Sequence, residues 1–383
     1  MNLTRLQSGL VGLLLLPLLL IACTQEPKEQ RYTKDYQTNF SALWTILDEG
    51  YCFFDDKLPA SGDTTWSDLK AIYTPRVAQC QSEDEFFDLM VELMCHLKDG
   101  HVNLFAPFDV GGWDIRKGAR HCLDSRIRNL YLQPHMRRAG SIYYAPITYN
   151  DHASDSIGYM VIPSFSSSIS LVHLHAVFTR LAHCRGLIID MRSNGGGLLS
   201  NADRLASVLI PSDTIVGYMS TKTGPGHQDF GPLKEIQLAR APISWQRPTV
   251  ILVDRGTYSA ANSLVAYVKG TTRHVLFMGD RTGGGGGLPR SSELPNGWWL
   301  RYSSSRMYDA QRQSIEGGIE PHIIQEQTEE ATAKQQDALI ERAIALLLKG
   351  NKKLTHHTYR RKESLPSQEA LFVTAAGFKP ATL

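Results

Sequence analysis

The sequence predicts an α/β core behind a helical N-terminal subdomain, and three observations carry that prediction. Apolar residues recur at helical spacing through 33–99. From Ile157 onward, short buried-type strands alternate with amphipathic helices, the pattern of parallel strands joined by crossover helices. The 383 residues are 42% hydrophobic and 20% charged, enough apolar material for a sizeable core. Lys+Arg 40 against Asp+Glu 38 leaves a net charge of +2, which argues against nucleic acid as the main partner.

The first segment reads as an export signal. Arg5 precedes an almost wholly apolar run, Gly9 to Ala22, shorter than the ~20 residues of a membrane span. It ends in Leu20-Ile21-Ala22-Cys23, which resembles a bacterial lipobox. Residues 1–22 are then a lipoprotein signal peptide, Cys23 is the lipidated N-terminus, and 23–32 are a tether. An ordinary secretory signal with a chance Cys is the alternative. The expected location is an exported bacterial lipoprotein, held at a membrane on the periplasmic or outer surface. Five further cysteines follow, without C-x-x-C spacing. Cys52, Cys80 and Cys95 allow one bridge, and buried free thiols are the other reading.

Residues 33–100 form the helical subdomain. Tyr36, Phe40, Leu43, Trp44 and Leu47 mark one helix. Ser82-Glu83-Asp84-Glu85 is a capping box opening a second, with Phe86, Met90, Leu93 and Leu97 as its stripe. Leu58 to Thr65 reads as the loop between them. Residues 101–156 read as a small β-rich segment, with strand-like runs at Val102–Phe105, Arg128–Leu132 and Ile142–Pro146. The segment is too short for an inserted peptide-binding domain of PDZ type. The α/β core occupies 157–350. Its strands are Ile157–Ile162, Gly186–Asp190, Thr249–Val253 and His274–Met278. Its helices are Leu171–Leu181, one marked by Leu198, Ala202, Leu205 and Leu209, one from Tyr258 to Val268, and a closing helix on Ile340, Ala343, Ile344 and Leu347. Residues 351–383 read as a basic tail.

Chemistry concentrates where the core strands end. Asp190 to Gly197 ends in three glycines ahead of a helix, so it is either an oxyanion-binding turn or a plain tight turn. Gly256-Thr257-Tyr258-Ser259-Ala260-Ala261-Asn262 places Ser259 between strand and helix, as a nucleophile or as a helix N-cap. Gly283 to Gly287 reads as a mobile loop that a substrate backbone approaches, or as a flexible surface hairpin. A nucleophilic Ser needs a base. His101, in Leu97-Lys98-Asp99-Gly100-His101, is the candidate, a surface-turn His being the alternative.

Taken in order over 35–350, these segments resemble the serine peptidase family of the C-terminal processing (tail-specific) proteases and the tricorn core. The resemblance rests on Leu97–His101, Ile188–Gly197, Thr257–Ala260, Gly279–Gly283 and Gly318-Ile319-Glu320-Pro321. It implies a Clp-protease/crotonase-like core. It also implies a serine-type endopeptidase that works through an acyl-enzyme on a peptide or protein substrate, with no metal and no cofactor. The processing-protease branch uses a Lys about 25 residues after the Ser, in the turn that is all glycine here. Lys269 does not match it. The tricorn-like branch uses a His in the Asp-x-His turn, so Ser259 carries over as nucleophile and His101 as base. Glu316 is the nearest match to the acid that orients the base, one residue short in its spacing to Gly318. The oxyanion hole is Ala260 N–H with Gly195 or Gly196 N–H. His322 stands where the family has Asp. A peptide-binding surface lipoprotein of the same fold, weakly active or inactive, is the alternative function. The sequence leaves the oligomeric state open.

Overall fold

The computed structural model describes residues 32–58, 64–149 and 157–349. The signal segment, Cys23, most of the tether and the basic tail lie outside the described residues. The core is a seven-stranded sheet, in the order Ile323–Ile324, Val275–Gly279, Thr249–Val253, Gly186–Asp190, Ile157–Val161, Ile142–Pro146, Arg137–Ala139. The first five pair in parallel and the last two antiparallel. Its central strands are buried on both faces, which is why they read as unbroken apolar runs. Leu187, Ile189, Ile251 and Val253 pack towards the helices Leu171–Arg180, Leu199–Leu209 and Ala260–Thr271. Ile188, Val250 and Leu252 face the other way, against Ala338–Leu348. This one-residue alternation is the pleat.

The N-terminal helices are Tyr36–Gly50, Phe54–Lys57, Trp66–Val77 and Glu83–Cys95. Their apolar stripes share a core with Leu104, Leu300 and Tyr302 of a four-stranded sheet, ordered Pro289–Glu293, Trp299–Ser303, Asn103–Phe105, Val110–Gly112. That sheet links residues 103–112 to residues 289–303. A three-stranded sheet, Ser305–Asp309, Thr214–Thr221, Lys234–Leu238, completes the fold.

Four expectations change. A further helix, Trp66–Val77, stands between the two that the apolar spacing marks, and Thr65 and Asp68 cap it reciprocally. At the next helix Ser82 accepts from Glu85 N–H, but the Glu85 carboxylate receives Gln81 N–H, so that capping box is half formed. Arg128–Leu132 is not a strand. Asp124 caps a helix at Ser125–Leu130 by accepting from Arg126 and Ile127 N–H. Cys52, Cys80, Cys95, Cys122 and Cys184 are all free thiols, so no bridge forms among the first three.

Candidate active site

Ser259 sits at the turn between strand Thr249–Val253 and helix Ala260–Thr271. Its backbone has φ 57° and ψ −126°, a region that a residue with a Cβ adopts only when its surroundings impose it. The imposing contacts are visible. Tyr258 N–H donates to Asn194 O at 3.0 Å and Ser259 N–H to Gly284 O at 2.9 Å. Thr257 Oγ1 donates to Met191 O at 3.0 Å. Ser259 occupies the N-cap position but its side chain caps nothing. Its Oγ lies 3.0 Å from His101 Nε2 instead.

His101 is buried, not a surface-turn residue. Asp99 Oδ1 accepts its backbone N–H at 2.7 Å, which tightens the turn. Tyr258 sets the imidazole, with ring centroids 4.8 Å apart, and its hydroxyl donates to the same Asp99 oxygen at 3.1 Å. Ser303 Oγ donates to the other oxygen at 2.9 Å. Burial lowers the His101 pKa to about 4, with the Asp99 charge opposing and the Arg301 charge assisting. The second ring nitrogen, Nδ1, is buried without a hydrogen-bond partner among the described residues.

Glu316 is buried close by but makes no hydrogen bond to the imidazole. It pairs with Lys57 at 2.9 Å and accepts Gly286 N–H at 2.8 Å. Burial, and then the neighbouring Asp99 charge, raise its carboxyl to about 8 against the pull of Lys57. Asp99 and Lys57 thus belong to this buried network, and the sequence reading gave neither a role. The Asp99 signal was present, two residues before His101. Lys57 offered none.

The five glycines are not a mobile loop. Gly284 bridges to Tyr258, Gly285 N–H donates to Glu316 O, and Met307 N–H donates to Gly286 O. At Gly284, φ is +87° and a Cβ would lie 1.9 Å from Glu316 O, so only glycine fits. Of the oxyanion candidates, Gly196 N–H is already given to Asn194 Oδ1 at 2.9 Å. Ala260 N–H is the first of its helix and has no intrahelical acceptor. Gly195 is exposed beside it at the rim of a cleft of about 450 Å³, which Ser259, His101, Leu199, Met307 and Arg301 also line.

Two other residues fall outside the site. Lys269 is ten residues along the helix from Ser259, about 15 Å at 1.5 Å per residue, and donates to Glu320 O. His322 accepts Phe277 N–H on Nδ1 at 3.0 Å while its own N–H bonds Phe277 O. Both contacts are to the sheet strand Val275–Gly279.

The model for peptidase family S41 matches residues 156–325, and that for the tricorn protease C1 domain matches 32–95. The carboxy-terminal processing protease CtpA of Bacillus subtilis is 26% identical over 177 residues, covering 46% of this chain and 36% of that protein. The carboxyl-terminal-processing protease of Synechocystis is 29% identical over 174 residues, covering 45% and 38%. The chain thus spans little more than a third of the length of these curated relatives. A crystal structure of a peptidase candidate from Parabacteroides merdae covers 83% of this chain and 98% of its own, at 38% identity and a TM-score of 0.75. The chain belongs to peptidase family S41, the serine hydrolase family of the C-terminal processing proteases, with a Clp-protease/crotonase-like α/β core.

Proposed function

We propose that the protein is a serine endopeptidase acting through an acyl-enzyme. The contact of 3.0 Å between His101 Nε2 and Ser259 Oγ carries the reading. Ser259 Oγ attacks the scissile carbonyl carbon while His101 Nε2 takes its proton. The oxyanion rests on Ala260 and Gly195 N–H, Gly196 N–H being committed to Asn194. As the tetrahedral species collapses, His101 returns the proton to the leaving amine. A water then repeats the sequence on the ester. Glu316 does not orient the base by contact; it is held by Lys57 and Gly286 N–H beside the Asp99 side of the network. In this reading the turn that follows the helical subdomain, Asp99 to His101, brings the base up to the nucleophile carried by the α/β core.

The direct test is hydrolysis of casein or a quenched fluorescent peptide, together with labelling of Ser259 by a fluorophosphonate. Both are expected. Neither hydrolysis nor labelling by pure, folded protein would sink the proposal in favour of a peptide-binding lipoprotein. A pH profile supplies a second check. The base works as neutral imidazole, and its pKa is held near 4 by burial. The acid limb of kcat/KM should therefore fall near pH 4, not near the ordinary ~6.5. A limb at 6.5 would show that His101 is solvated in the working enzyme.

We further propose that Cys23 anchors the protein by acylation, on the strength of Leu20-Ile21-Ala22-Cys23. Two or three acyl chains, at ~0.8 kcal/mol per buried CH₂, hold a protein stably at a membrane. Cys23→Ser should move the protein from the membrane to the soluble fraction. An unmodified mature N-terminus in the mass spectrum would count against the anchor.

A further inference from the structure

The four-stranded sheet carries an apolar row at one end. Trp299 pairs with Phe105, and Phe105 with Val110, so the three side chains stand abreast on one face of three adjacent strands. Leu300 and Leu104, one position along, point the other way into the helical core. Trp299 is left 49% exposed and Val110 58%, with Phe105 exposed between them. The turns 106–109 and 294–298 close two hairpins at this same end, because the strand that ends at Phe105 lies against the one that starts at Trp299. Exposed Phe108 is in the first turn. Thr33 N–H donates to Pro295 O in the second, directly after an exposed Tyr32. Five exposed apolar side chains, four of them aromatic, thus gather where the N-terminal segment joins the fold. His101 and Ser303 lie towards the other end of the same strands, so the row stands apart from the reacting groups.

We propose that this end of the sheet docks on a lipid surface, with Trp299, Phe105 and Val110 entering the headgroup region. The choice of occupant rests on the Cys23 anchor and not on the peptidase reading. Cys23 is ten residues before Thr33, a reach of at most about 36 Å at ~3.6 Å per residue. An acylated Cys23 therefore keeps the Pro295 turn close to the bilayer that holds it. Aromatic side chains favour that boundary, and the strength of such contact scales with the apolar area it buries. Asp109 and Glu293 flank the row, so the contact is apolar and does not call on anionic headgroups. The anchor supplies the local concentration that a patch of this size needs.

The test replaces the natural anchor, so that it does not depend on acylation. The mature chain, residues 23–383, carries Cys23→Ser and an N-terminal hexahistidine tag, and is held on phosphatidylcholine vesicles by a nickel-chelating lipid. Brominated acyl chains in those vesicles should quench part of the tryptophan emission, and Trp299→Phe should remove most of that quenching. Phe105→Asp and Val110→Asp, each with Trp299 in place, should lower it about twofold or more, since each removes apolar area from the contact. No quenching in the tethered parent protein would overturn the proposal. So would quenching that Trp299→Phe leaves unchanged, because another face would then meet the lipid. Two further results would assign the row elsewhere and overturn it equally. One is a soluble dimer in sedimentation that Trp299→Asp dissociates. The other is a raised KM for casein in soluble Phe105→Asp protein of unchanged melting temperature, with no quenching in the tethered parent. An unmodified natural N-terminus would count against the Cys23 anchor and leave the vesicle result standing.

Discussion

Ser259→Ala and His101→Ala are each expected to lower kcat by a factor on the order of 10⁴–10⁶, and the double variant should be no worse than the poorer single. The reason is the shared proton. In the proposed mechanism attack and proton transfer form one event across the 3.0 Å between Nε2 and Oγ, and removing either partner ends it. Residual turnover would come from the oxyanion donors and substrate binding, which neither substitution touches. Lys269→Ala should keep most activity, because its ammonium donates to Glu320 O, well down the helix from the nucleophile. Lys57 is the ammonium nearest the network, and it is held on Glu316 at 2.9 Å. Measured kcat and KM for the four variants decide the matter. Losses that multiply in the double variant would mean that the two side chains serve separate steps.

The core strands were legible because burial on both faces forces continuous apolar runs, as in Gly186–Asp190 and Thr249–Val253. Strands Thr214–Thr221, Pro289–Glu293 and Ser305–Asp309 were not, because half-exposed faces carry Ser, Thr, Arg and Glu that read as loop. Helix Trp66–Val77 was legible in principle, since Thr65 and Asp68 stand at capping-box spacing. Ser259 and His101 were legible as types in the right turns. What separates a nucleophile from an N-cap is the backbone twist at Ser259, and that comes from Gly284 and Asn194, which are remote in sequence. The Lys57–Glu316 pair joins the first helical layer to the last glycine turn, and no spacing rule reaches that far. Glu316 was found by resemblance; its distance from the imidazole is a property of the packing.

The largest stability effect is expected at Arg192, which is fully buried at the turn from Asp190 to Gly197. Its Nε and Nη2 grip Asp190, its Nη1 bonds Asp337 at 2.9 Å and Cys122 O at 2.6 Å, and Tyr159 OH donates to Asp190 at 2.7 Å. Asp337 is also the N-cap of helix Ala338–Leu348, so one guanidinium ties the glycine turn to the closing helix. Arg192→Met keeps most of the volume but leaves two carboxylates facing each other without a cation. Removing one partner of a buried ion pair typically costs about 3–5 kcal/mol, far beyond a surface pair. The loss should depend on pH in a definite direction. Burial already raises the Asp337 pKa above the ordinary 3.8, with Arg192 as the main opposing charge. Without Arg192 the folded-state pKa rises further, so the folded variant binds more protons than the unfolded chain at pH above about 4. Its deficit against wild type should therefore be largest at pH 7 and shrink as pH falls towards 5. Urea unfolding of both proteins at the two pH values measures this. Adding Asp190→Asn and Asp337→Asn to Arg192→Met should flatten the pH dependence. A deficit that stays constant with pH would assign Arg192 a packing role, with the two carboxylates hydrated in the variant.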